Sequence, residues 1–331
     1  SAMGCLAQER LAVGDWESAM FYAAWMERWI QHIEASGQKP KRNFPGYHAV
    51  VHEDAYFTRA NVFAALGLIE KEAEDYEFIL GKAYKNYKWR GYQRATYKLA
   101  GIRLQQGRGD EIDLLSLEAN EAKVKSNRFV ESHEWQFSKL VRARVSAQRE
   151  DPSLGFALVD EVLDATSERT LPLLRLEALL VAAELTMDAE NYDQVEPWLV
   201  EALTWARSQG LLLEELRVYE LYVRYLIATE NYELALEVQQ RILELIDTLN
   251  LTPRETEALI QLAQIYSLLN DRESALALVD HLGRGKFDPS WLVTLDSKPT
   301  DSVAVSEQRG SISLQPLRMV SAPITETGQT I

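Results

Sequence analysis

Cysteine is nearly absent from this chain. Cys5 is the only one in 331 residues, so no internal disulfide framework can exist, and a reducing compartment, by default the cytoplasm, fits best. Glycine and proline number 16 and 10, and few of them fall between residues 50 and 280, where turn-rich β folds would need them. No apolar run approaches the roughly 20 residues of a membrane span, and no charged, apolar and small-residue succession marks a signal peptide at the start. Positive charge is in deficit: 35 Lys and Arg against 50 Asp and Glu give a net charge of −15, which argues against general affinity for nucleic acid or anionic lipid. The opening Ser1-Ala2-Met3-Gly4 reads as a protease-cleaved cloning remnant. On that reading the chain is a fragment, with room upstream for a receiver or ATPase domain.

What is present is a repeat. Val13-Gly-Asp-Trp-Glu-Ser-Ala-Met20 returns in altered form as Glu190-Asn-Tyr-Asp-Gln-Val195, Glu230-Asn-Tyr-Glu-Leu-Ala-Leu236 and Asn270-Asp-Arg-Glu-Ser-Ala-Leu276. Val195, Ala235 and Ala275 are equivalent and stand 40 residues apart. A fixed period in that range marks a stacked array. Within each unit the apolar residues keep helical spacing: Leu259, Leu262, Ala263 and Tyr266 define one face, and Ala275, Leu278, Val279 and Leu282 the next. Ala263 and Ala275 are small, which allows the two antiparallel helices to approach closely.

This unit can be laid over most of the chain. The first passes through Asp15-Trp16 to Ala19, Ala23 and Met26. The second covers residues 61–87 with its turn at Asp75-Tyr76, and the third covers 94–125 with its turn at 107–110. The fourth covers 128–165 with its turn at 150–153, and the last three cover 171–209, 213–249 and 252–283. The predicted fold is all-α: a right-handed α-solenoid of about seven antiparallel helix pairs over residues 5–283. Residues 35–46 read as an exposed loop. Residues 284–331 read as an irregular tail, with an extended segment at Ser311-Ile-Ser-Leu314.

Leu66-Gly67 on a first helix, and Gly14-Asp15-Trp16 followed by Ala19 across a turn, resemble the tetratricopeptide repeat. The 40-residue length and long second helices are similar to the arrays of MalT-like and Rap-type bacterial regulators, and to repeat domains joined to response-regulator receivers. The resemblance implies a protein- or peptide-binding scaffold in a bacterial regulatory or signalling protein, with recognition on the concave face lined by first helices. No helix-turn-helix DNA reader follows the array. Some tetratricopeptide domains hold a peptide's C-terminal carboxylate with basic residues at the places of Arg94 and Lys98. The asparagines and lysine those domains use on two preceding repeats are not matched, since Gly4, Gln8 and Ala65 stand there. Arg94, Tyr97, Lys98 and Asn61 are therefore the expected partner contacts, for an acidic or carboxylate-bearing segment.

The stretch 82–98 is basic against an acidic background, with Lys82, Lys85, Lys88, Trp89 and Arg90 followed by Arg94 and Lys98, interleaved with tyrosines. Alternating cations and rings can also stack bases and neutralise phosphates, so a nucleic-acid-binding array using this stretch is the alternative reading. His48 and His52 share a helical face at zinc-ligand spacing, but Ala49 stands where a metalloprotease needs glutamate; helix packing is the expectation, with no metal. Trp16, Trp25, Trp29, Trp198 and Trp205 fall on second helices and are expected to fill the core. Trp25 and Trp29, four apart, could instead form an exposed face. No Ser/His/Asp order, paired-cysteine spacing or glycine-rich nucleotide fingerprint can be assembled. The chain reads as a binding protein with neither an active site nor a cofactor.

Overall fold

A computed structural model describes residues 2–12, 15–35, 47–86, 89–113, 117–118, 134–149, 151–166 and 171–283. Among them are thirteen α-helices and no strand. They are α1 (Ala2–Ala12), α2 (Trp16–Ala35), α3 (Tyr47–Ala65), α4 (Ile69–Asn86), α5 (Trp89–Gln105), α6 (Glu134–Gln148) and α7 (Pro152–Ala165). Then follow α8 (Pro172–Asp188), α9 (Val195–Ser208), α10 (Leu212–Ala228), α11 (Tyr232–Thr248), α12 (Thr252–Leu268) and α13 (Arg272–Gly283). Each helix packs on the next in sequence, which is the stacking of an all-α solenoid. No helix among the described residues is long and apolar enough to cross a membrane.

The repeat signature is a set of helix ends. Asp15, Asp151 and Asp271 each precede a second helix, and each carboxylate accepts the backbone N–H three residues on, from Ser18, Leu154 and Ser274, at 3.1 Å. That satisfies one of the donors a helix start leaves open. Two places past the ends of α8 to α12 the backbone is left-handed, at Glu190, Gly210, Glu230, Asn250 and Asn270, with φ 57°, 66°, 60°, 52° and 60°. Backbone bonds such as Asn191 N–H to Thr186 O and Asn231 N–H to Leu226 O close the helix ends around them. A glutamate in this conformation is strained by roughly 1–2 kcal/mol, more than the roughly 0.5–1 kcal/mol of unfolded-chain freedom that glycine adds. Glu190→Gly and Glu230→Gly should therefore each raise the melting temperature, with a gain of about 0.5–1 kcal/mol on denaturation. A fall would show that the glutamate side chains do something at these turns that the backbone does not explain.

Val195, Ala235 and Ala275 are buried, as are Ala263 and Ala258 on the facing helix. Close approach is also needed at Gly155 in α7, where an added Cβ would meet the Ala143 carbonyl of α6 at 2.9 Å. The second unit turns elsewhere than its letters suggested. Asp75 and Tyr76 echo Asp15 and Trp16, yet they lie buried inside α4; the chain reverses at residues 66–68, where Gly67 takes φ 72°. A glycine free to adopt the left-handed region decides the turn, and Asp75 instead accepts from Arg59 of α3. In the fourth unit Asp151 caps α7 and Pro152 already opens it, so the second helix begins inside the 150–153 stretch read as the turn. Most of the partner of α5, the 36–46 loop and the 284–331 tail lie outside the described residues. Ala2, Met3 and Gly4 belong to α1.

The array also makes contact between its ends. Ala7, Ala19, Val62, Ala65 and Leu66 from the first two pairs share one buried cluster with residues of α8 to α12. The indole N–H of Trp16 donates to the Asn250 carbonyl at 2.7 Å, across 234 residues of sequence.

Candidate functional site

Stacking sets the first helices of successive pairs side by side, so charged residues on their common face meet one repeat apart. Glu177 of α8 accepts from Arg144 of α6 at 3.0 Å and from Arg217 of α10 at 2.7 Å. Arg144 also reaches Glu184 at 2.6 Å, Arg217 reaches Glu214 at 2.6 Å, and Arg254 of α12 reaches Glu220 at 2.5 Å. The result is a ladder of alternating charge along the common face of the first helices. Burial alone would raise the Glu177 carboxyl, but Arg217 and Arg144 outweigh it and hold the group well below the usual glutamate range.

Arg94 and Lys98 of α5 join this face differently. They stand four apart, on one helical face. Neither forms an ion pair with any described residue, although Arg144, Arg217 and Arg254 all do. The Arg94 guanidinium lies 4.8 Å from the centre of the Phe57 ring on α3. Lys98 is recessed: burial pushes its pKa down, Arg94 and Arg217 push the same way, and Glu177 and Glu72 push back. Glu72, in the first turns of α4, is buried near Lys98 and Arg217 without an ion pair to either. Burial carries its carboxyl up to about 7 against the pull of those two cations. The Tyr76 hydroxyl is buried beside it with no hydrogen bond of normal geometry.

The expected contacts separate once placed. Tyr97 is buried and stacks on Phe137 of α6, ring centres 5.8 Å apart, so it belongs to the core between α5 and α6 and is withdrawn from the partner-binding set. The reason is rotation: one residue before Lys98 lies about 100° round the helix. Asn61 is half-buried on α3, one turn beyond Phe57, and makes no hydrogen bond to a described residue. Because α3 and α5 run parallel, Asn61 follows Phe57 in the direction in which Lys98 follows Arg94. Lys88 lies outside the described residues, as do the side chains of Lys82, Lys85, Trp89, Arg90, His48 and His52. No metal-holding cluster occurs among the described residues.

Trp25 is 42% exposed and stacks on half-buried Trp29, with Phe21 one turn before at 64%. Trp198 and Trp205 are half-buried against the main core. Glu72, Glu177, Arg144, Arg217, Glu220 and Arg254 were not singled out by sequence reasoning. Part of a signal exists: Glu177 and Arg217 are 40 residues apart, in equivalent register and of opposite charge.

No family model matches the chain. No curated protein matches it either. Among solved structures it is similar to BtubC (BKLC) from P. vanneervenii, with 14% identity and a TM-score of 0.50 over 75% of this chain and 98% of that one. It is also similar to a tetratricopeptide repeat protein from Parabacteroides merdae ATCC 43184, with 12% identity and a TM-score of 0.46 over 89% and 96%. What is shared with BtubC is the fold, an all-α helical-repeat solenoid.

Proposed function

We propose that this chain is a protein- or peptide-binding scaffold, and that its inner wall holds an acidic or carboxylate-bearing segment of the partner at Arg94 and Lys98. The regulatory setting suggested by the resemblance to MalT-like and Rap-type arrays belongs to the same reading. One observation carries it: Arg144, Arg217 and Arg254 each close an ion pair along this face, whereas Arg94 and Lys98 close none with any described residue. An unpaired, recessed cation is costly, and a guest carboxylate would relieve it. Arg94 offers a planar fork already oriented by Phe57, and Lys98 a point charge one turn deeper. Asn61 would add a neutral hydrogen bond.

The test uses a fluorescent glutamate-rich peptide with a free C-terminal carboxylate, alongside its C-terminal amide. Arg94→Gln combined with Lys98→Met should weaken binding of the free-acid peptide more than tenfold, as expected when one side of a desolvated charge contact is removed. Helicity and melting temperature should not fall, because Lys98→Met removes a desolvated cation. Equal affinity of wild type and variant, or no binding by the wild type, would remove the assignment.

A further inference from the structure

Lys98 lies among charges of α4, α8 and α10, and the turn that leads into α4 meets the start of α12. On one side stand Trp16 at the start of α2 and Gly67 after α3; on the other, Asn250 and Arg254 around the start of α12. Trp16 donates to the Asn250 carbonyl at 2.7 Å. A Cβ on Gly67 would stand 3.5 Å from Arg254 Cγ, so the arginine stem lies against the bare glycine, while Glu220 holds its guanidinium at 2.5 Å. Ala7, Ala19, Ala65 and Leu66 reach the same buried cluster as Leu251 and Ala258. Glu72, just past this turn, acts electrostatically on Arg217 of α10.

Neighbouring helices bury whole faces of Leu, Ile and Val, whereas at the junction the first two pairs bury Ala7, Ala19, Val62, Ala65 and Leu66, three of them alanines, beside one neutral hydrogen bond and one arginine stem. In a repeat array each unit is held chiefly by its neighbours. A contact between distant units can therefore part without unfolding a hairpin, as hinge-type openings do. We infer that Trp16, Gly67, Asn250 and Arg254 form a clasp that latches the first repeats onto the last, and that an acidic guest reaches Arg94 and Lys98 when the clasp opens. The guest in this statement rests on the peptide-binding reading above; the clasp does not.

Cys5 is the sole cysteine and is exposed on α1, which makes it a natural labelling site. Spin labels at Cys5 and at Glu255→Cys, an exposed position on α12, report the distance across the clasp in the full chain by double electron–electron resonance. The wild type should give one short distance. Trp16→Phe with Arg254→Gln keeps the ring and the stem but removes the donor and the charge, and should move a sizeable fraction to longer distances with helicity unchanged. In the same variant the association rate of the glutamate-rich peptide should rise several-fold, with little change in dissociation. An unchanged distance distribution, or a wild type already dominated by the long distance, overturns the clasp. A shifted distance with an unchanged association rate overturns its role as a gate. If the distance shifts but neither protein binds the peptide, the clasp stands and the peptide reading falls. Should the double variant lose helicity, Trp16→Phe alone carries the distance measurement.

Discussion

Replacing Glu177 with alanine should destabilise the array by about 3–5 kcal/mol, the cost of leaving charge uncompensated in a recessed site. Glu177 is the shared acceptor for Arg144 and Arg217, so its loss strips a counter-charge from two first helices on either side of α8. The carboxyl titrates well below its ordinary value of 4.5 in the folded chain. A depressed folded value means the contribution is fully present above 4.5 and is lost as pH falls further. The gap between wild type and Glu177→Ala should thus be constant from pH 8 down to about 5 and close only in stronger acid. Denaturant titration across that range is the measurement. Replacing Arg144, Glu177 and Arg217 together by Met, Leu and Met should cost far less than Glu177→Ala alone, because no orphaned charge remains. A triple variant as damaged as the single one would mean that packing, rather than charge, is what Glu177 supplies.

Glu72→Gln should act in the opposite direction and with the opposite pH dependence. Burial raises this carboxyl from 4.5 to about 7, so the folded chain holds its proton more tightly than the unfolded chain does. Protonation therefore favours folding, and stability declines as pH climbs from 4.5 through about 7. The gap between the two values corresponds to about 3 kcal/mol once the group is ionised in both states. Glutamine keeps the shape and discards the charge. The variant should match wild type near pH 4.5, draw ahead above it, and lead by about 1–3 kcal/mol at pH 8, the lower end allowing for the lost attraction to Lys98 and Arg217. Thermal melts at several pH values would show this divergence. A destabilised Glu72→Gln at pH 8 would make Glu72 an effective counter-ion for those cations.

The two glutamates illustrate why sign alone does not describe the charged face of the first helices. Both are surrounded by protein and both face Arg217 and Lys98. Glu177 closes ion pairs with two guanidinium groups, and the attraction exceeds the desolvation cost. Glu72 has cations nearby but no ion pair, and the cost exceeds the attraction. The same reasoning sets Arg94 and Lys98 apart from Arg144, Arg217 and Arg254.

Much of the architecture was legible in the one-dimensional pattern. The 40-residue spacing of Val195, Ala235 and Ala275, the carboxylate caps at Asp15 and Asp271, and the small residues at Ala263 and Ala275 are local features. Helix ends, turns and hairpin packing depend on residues within a few turns of one another, so periodicity reports them directly. Even there, Asp75-Tyr76 misled, because similarity of letters counted for less than the left-handed backbone that Gly67 accepts. Arg94 and Lys98 share a face because they are four apart, which the sequence states; that Tyr97 turns into the core against Phe137 depends on where α6 packs.

Which charges of the first helices meet, and where the first pairs touch the last, depends on contacts between residues far apart in the chain. Glu72 acts on Arg217, and Trp16 reaches Asn250, from distant parts of the sequence that the packing of the array brings together. No local pattern records that meeting. The repeat period fixes a stack of helical hairpins, because its signals are local; packing between distant pairs fixes which of the described charges meet.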